Sequence, residues 1–78
     1  MKEKGMLWFC DNNASIDLNL LHAIKYYEKK YDKSPNIVYM NWEEYTFLEE
    51  TFLRDYEVNI KIEPDKKVQK RHLIIGID

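Results

Sequence analysis

This sequence has few residues of several types, and each shortage excludes a class of protein. Its 78 residues include one cysteine, two prolines and two glycines. Because Cys10 is alone, it cannot close a disulfide within the chain, and without a cluster of Cys and His no structural zinc site is expected. Two glycines are too few for a glycine-rich phosphate loop. No segment has the roughly 20 apolar residues that a membrane helix needs, so we expect no membrane span.

An excess of charge is also missing. The chain has 12 basic and 14 acidic residues, which leave a net charge of −2 and no overall positive field for nucleic acid. The start of the chain, MKEKGMLWFC, has neither the longer apolar run nor the cleavage site of a secretory signal. Together with the single unpaired thiol, this predicts a cytoplasmic protein. Hydrophobic residues make up 45% of the chain, which is enough for one globular core over residues 1–78.

Hydrophobic spacing predicts six elements in the order βαβαββ. They are a strand at 5–10, a helix at 16–31, a strand at 37–40, a helix from Asn41 to about Asp55, a strand at 58–62 and a strand at 72–77. Pro35 ends the first helix, and Asn41 with Glu44 three residues later is typical of a helix start. The segment EPDK before the last strand is predicted to be a turn.

This order favours a mixed four-stranded sheet of the α+β type. We expect the first three strands to be parallel and the fourth to return antiparallel as a hairpin partner of the third. Two helices are too few to cover both faces of four strands, so we expect both on one face, in a two-layer sandwich. The alternative is a small three-layer arrangement with the helices on opposite faces.

The order of elements resembles the two-layer C-terminal domain of translation initiation factor three. Small sulfur-carrier proteins and some archaeal chromatin proteins are similar in layout. The likeness covers the whole chain as topology but involves no sequence motif, so it implies a fold and carries little information about function.

The loop after the first strand contains the first candidate site. A thiolate or an anion would be stabilised there by the N-terminus of the first helix. The candidate residues are Cys10, Asp11, Asn12, Asn13 and Ser15. Sulfur carriers keep a cysteine near this point in a Cys-Pro-x-Pro motif, which this chain lacks, and the carboxylate of Asp11 would oppose a thiolate. We therefore favour a buried cysteine followed by a helix cap, and keep a thiol or sulfur-handling function as the second alternative.

The second candidate site is the basic run KKVQKRH. Lys66, Lys67, Lys70 and Arg71 could contact phosphates, which makes weak binding of RNA or DNA the first alternative function. In a strand these side chains alternate between two faces, and no aromatic residue lies among them to stack on bases. We therefore favour a solvated hairpin.

The third candidate site is an apolar surface. The first two strands are apolar on both faces, whereas the third alternates, so one face of the sheet is expected to need a cover that the helices do not supply. The candidate interface residues are Leu7, Phe9, Val38, Met40 and Ile74. We expect a small intracellular binding or assembly module that forms a homodimer through this open sheet face. No catalytic or metal-ligand motif stands out, so we expect neither an enzyme nor a cofactor, and no small-molecule ligand is identified.

Overall fold

The structure is a computed structural model that describes residues 5–48 and 60–78. Its elements are β1 (Met6–Phe9), α1 (Ile16–Tyr31), β2 (Ile37–Asn41), α2 (Trp42–Tyr45), β3 (Lys61–Asp65) and β4 (His72–Gly76). Over these residues the structure confirms the α+β class, with a mixed four-stranded sheet and two helices. Within the described residues α2 is a single turn, and most of its predicted extension to Asp55 lies outside them, as does the start of the predicted third strand.

The first helix forms where the sequence predicts it. Ser15 caps the start, since its hydroxyl accepts a hydrogen bond from the backbone N–H of Leu18 (3.2 Å). At the other end, Asp32 adopts a left-handed conformation (φ 55°) and its N–H donates to the carbonyl of Glu28 (2.9 Å). The face that α1 buries consists of Ile16, Asn19, Leu20, Ala23 and Tyr27.

The strands lie in the order β1-β4-β2-β3. β4 runs antiparallel to both β1 and β2, and β2 and β3 pair in parallel, so the first three strands share one direction as expected. The predicted β3–β4 hairpin is wrong, because β4 lies between β1 and β2. Burial explains this position, since Leu73 and Ile75 are completely buried and need neighbours on both sides. β3 carries charged residues and takes an edge instead.

β3 also extends into the segment EPDK, which we expected to be a turn. Residues 63–65 pair with residues 39–41 of β2. The N–H of Lys61 donates to the carbonyl of Asn36 (2.9 Å), so alternate residues from Lys61 turn their backbone groups towards β2. Pro64 is one of the intervening residues, and a proline at such an edge position breaks no hydrogen bond of the ladder.

One face of the sheet packs against α1 to form the core. The core cluster comprises Met6, Ile16, Leu20, Ala23, Tyr27, Val38, Met40, Leu73 and Ile75. Leu48, which lies just after α2, packs against the same cluster. The two-layer arrangement stays a prediction, since most of the β2–β3 connection lies outside the described residues.

Candidate interaction surface

Cys10 directly follows β1 and is partly buried. Its backbone N–H donates to the carbonyl of Arg71 (2.8 Å), which extends the β1–β4 ladder by one residue. Burial raises the pKa of the Cys10 thiol to about 11, against a smaller opposing effect of the Arg71 charge. The thiol is therefore protonated at neutral pH, which does not favour the reactive thiolate of the second alternative.

Asn19 holds the loop that follows Cys10, and the sequence analysis missed it. Its side chain is almost completely buried, with 1% exposure. The side-chain oxygen accepts from the N–H of Asp11 (2.7 Å), and the side-chain nitrogen donates to the carbonyls of Asp11 (3.0 Å), Ala14 (3.3 Å) and Ser15 (3.0 Å). A polar residue at a core position of the α1 stripe was the available signal. The loop is thus fixed from inside by one amide.

The other predicted residues of this loop also act within it. The carboxylate of Asp11 accepts from the N–H of Asn13 (2.9 Å), and Ser15 caps α1. These are the hydrogen bonds of a turn that leads into a helix. The segment CDNNAS is therefore an ordered connection between β1 and α1.

Arg71 joins two sets of residues that the sequence analysis kept apart. Its guanidinium donates to the carbonyls of Asp11 and Ala14 and to the side-chain oxygen of Asn12 (3.2 Å). Its backbone N–H donates to the carboxylate of Glu44, and its φ of 64° is unusual for a residue with a side chain. Arg71 thereby fixes the β1–α1 loop against the start of β4, and its charge points into the protein surface instead of outwards.

The remaining cations of the basic run are divided. Lys70 forms an ion pair with Glu43 (2.8 Å), which raises the pKa of Lys70. Lys66 and Lys67 are exposed. Two of the four predicted phosphate contacts are thus occupied by groups of the chain itself. Binding of RNA or DNA stays a prediction, with fewer cations to support it.

The sheet face opposite α1 carries an apolar strip formed by Leu7, Phe9 and Ile74. Leu7 pairs with Ile74 across β1 and β4, and Phe9 pairs with His72, whose ring it meets edge-on at 4.9 Å. Leu7 is 52% exposed and Phe9 is 68% exposed. Of the five predicted interface residues, these three lie together on the open face.

Val38 and Met40 do not belong to this surface. They pair with Ile75 and Leu73, point towards α1 and have 0% exposure. Because β2 is apolar on both sides, its sequence did not show which residues face the helix. The opposite assignment is correct, so that Tyr39 lies on the open face beside Ile74.

The β3–β4 connection covers part of the open face. Val68 is 5% exposed, although it does not belong to the core cluster around α1. It lines a shallow cleft of about 300 Å³ together with Leu7, His72 and Ile74. This cover reaches Ile74, which is partly buried, more than it reaches Leu7 and Phe9, which are exposed.

The outer edge of β1 borders the apolar strip. Because Cys10 directs its N–H towards β4, Met6 and Trp8 do the same, and Leu7 and Phe9 direct their N–H and C=O groups outwards. On the helix side of this edge, the ring of Trp8 contacts that of Tyr26 (5.5 Å between centroids). A cleft of about 400 Å³ follows the edge, lined by Met6, Leu7, Trp8, Phe9, Tyr26 and Lys30.

Comparisons with known proteins add no function. No family model, curated protein or solved structure matches the chain. Among residues 5–48 and 60–78, no three His, Cys, Asp or Glu side chains are grouped so that they could hold a metal ion. In the same residues, no helix is long and apolar enough to cross a membrane. The function has to be inferred from the surface itself.

Proposed function

We propose that this chain is a small binding or assembly module that joins a second copy of itself through the apolar strip of Leu7, Phe9 and Ile74. The observation that carries the proposal is the exposure of Leu7 and Phe9, which are 52% and 68% accessible on neighbouring positions of one strand face. Burying such side chains is worth about 25 cal/mol for each Å² of apolar surface removed from water. A second copy would supply that burial twice in one symmetric contact.

The position of the strip supports an interface. It lies beside the edge of the sheet, and the partner residues on the same face include His72 and Tyr39, which combine an apolar ring with a polar group. Tyrosine is one of the residues that are enriched where proteins meet. A cytoplasmic location belongs to the same proposal, since the lone thiol of Cys10 suits a reducing compartment.

The mass in solution tests the proposal. We expect the wild-type mass to rise from that of one chain to that of two as concentration increases from micromolar to hundreds of micromolar, measured by light scattering or sedimentation equilibrium. Replacing Leu7 and Phe9 with Thr removes the apolar surface but keeps a residue that suits a strand. This double variant should remain a monomer throughout the range.

Leu18 and Phe47 provide a matched control. They are the same residue types with similar exposure, 41% and 73%, and they belong to α1 and to the turn after α2. Replacing Leu18 with Gln and Phe47 with Thr should leave the dimer unchanged. A wild-type monomer at every concentration, or equal loss of the dimer in both double variants, contradicts the proposal.

A further inference from the structure

We propose that two copies of this chain join through antiparallel pairing of their β1 edges, with Leu7 of each copy opposite Phe9 of the other and Trp8 on the twofold axis. The inference rests on the proposed self-association and specifies its geometry. It would continue two four-stranded sheets into one sheet of eight strands, with the apolar strips of the two copies side by side.

The edge of β1 is ready for such pairing. Leu7 and Phe9 both direct N–H and C=O outwards, and the strand MLWF contains no charged residue and no proline. Natural edge strands are usually protected by charges, prolines or bulges, because exposed backbone groups accept another strand. An unprotected edge beside exposed apolar side chains is best explained by a strand that pairs with it.

Symmetry restricts the register. When two antiparallel edges pair about a twofold axis, the open faces of both sheets lie on the same side of the combined sheet. A residue of the open face must therefore lie opposite another residue of the open face. If Leu7 lies opposite Phe9 of the copy, then all outward N–H and C=O groups of these two residues find partners in the other copy. If Leu7 lies opposite Leu7, the groups of Phe9 fall opposite Gly5, at the start of the described chain.

Side chains on both faces fit this register. On the open face, Leu7 meets Phe9 of the copy twice, and side chains that lie directly opposite one another across paired strands are close enough to pack together. On the helix face, Trp8 meets its own copy beside Tyr26, in the cleft that runs along β1. The cleft is thereby filled by the partner's equivalent residues.

Charge complementarity favours a second copy of the chain as the partner that fills the cleft along β1. Lys30 is the charged residue among the described lining of the cleft. It lies one helical turn after Tyr26, towards the Met6 end of β1, because the start of α1 is tied to Asp11 at the other end. In the proposed register, exposed Asp11 of each copy lies opposite Gly5 of the other, at the end where Lys30 is found. The dimer therefore has an Asp11 of one copy and a Lys30 of the other at each of its two ends.

Cysteine cross-linking between two variants tests the register. Both variants carry Cys10→Ser, and one carries Leu7→Cys while the other carries Phe9→Cys. Directly opposed residues of paired strands have Cα atoms about 5.5 Å apart, within the reach of a disulfide, whereas diagonal positions lie at about 7–8 Å. Under mild oxidation at a concentration where the wild type is dimeric, an equal mixture should form the mixed disulfide dimer.

Each variant oxidised alone serves as the control and should stay largely uncross-linked. Cross-linking of Leu7→Cys alone would overturn the register in favour of Leu7 opposite Leu7. A dimeric wild type without the mixed disulfide would overturn edge pairing while leaving self-association through the open face intact. A monomeric wild type would overturn both proposals. They would be equally wrong if the β1 edge paired with an extended segment of another protein instead of a second copy.

Discussion

In the part of the chain that the structure describes, β1 and β3 form the two edges of the same sheet, yet they present different groups to their surroundings. Along β1, Leu7 and Phe9 each offer an N–H and a C=O, and both side chains are apolar and exposed. Along β3, the outward positions are Ile62 and Pro64, so that one of the two N–H groups is absent. One edge is therefore built to resist pairing, whereas the other retains every group that pairing requires.

The side chains of the two edges differ in the same sense. On the open face β3 carries Lys61, Glu63 and Asp65, and Lys61 and Glu63 form an ion pair on the exposed surface (2.9 Å). Such residues keep their water when the edge is free and lose it when another strand docks. The difference shows that position at an edge does not by itself define an interaction surface. The interaction surface is defined by which backbone groups and side chains the edge exposes.

The largest effect should come from removing the support of the β1 end. Replacing Asn19 with Ala deletes four hydrogen bonds that hold the β1–α1 loop to α1, and the backbone N–H of Asp11 loses its partner, so we expect a loss of about 3 kcal/mol in the free energy of unfolding. Urea denaturation of the wild type and the variant measures it. Asn13→Ala in the exposed part of the same loop is the control and should cost less than about 0.5 kcal/mol.

Alkylation of Cys10 tests whether the thiol at the end of β1 stays shielded from solvent in the folded protein. At neutral pH, a thiol whose pKa is raised from 9.0 to about 11 has roughly a hundredfold less thiolate than one with the ordinary pKa. We therefore expect alkylation of the folded protein to be at least that much slower than alkylation in urea. The folded protein favours the protonated thiol, so this contribution to stability is present below pH 9.0 and is lost as the pH rises through about 11. Equal rates in the folded and unfolded protein would show that Cys10 is accessible.

A proline in β1 should make that edge resemble β3. Leu7→Pro removes an outward N–H without removing a hydrogen bond of the β1–β4 ladder, so the monomer should remain folded. The hydrogen bond that the Leu7 N–H donates to the other copy would be lost twice in the symmetric dimer. We therefore expect the dissociation constant of the dimer to be about tenfold or more higher than that of Leu7→Thr. Leu7→Thr is the matched control, because it removes the same side chain and keeps the N–H. If both variants dissociate equally, the backbone of β1 is not part of the contact.

Much of the local structure could be predicted from the sequence. The helix over 16–31 has an apolar stripe, a Ser15 cap and a proline beyond its end. Each of these features depends only on residues that are close together in the sequence. Alternation of side chains in the last strand also predicts that Leu73 and Ile75 share one face and that Ile74 lies on the other, as the structure shows. Such patterns depend on the period of the chain and do not require knowledge of distant segments.

Features that depend on distant segments could not be predicted in this way. The position of β4 between β1 and β2 depends on which strands have apolar side chains that must be buried on both sides. The apolar pattern IVYM gave no indication of which side of β2 faces α1. Arg71 was interpreted as a surface cation, but it donates to carbonyls some 60 residues earlier in the chain. The placement of candidate residues on the open face was thus correct for Leu7, Phe9 and Ile74 and wrong for Val38 and Met40.

Amide hydrogen exchange at the two sheet edges tests the central claim most directly. Exchange is measured residue by residue at low and high protein concentration, with Ile62 of β3 as the internal reference. The account predicts that Leu7 and Phe9 exchange quickly in the dilute protein and become protected as the concentration rises, while Ile62 does not change. Equal behaviour of both edges, or a dimer in which Leu7 and Phe9 still exchange quickly, would contradict it.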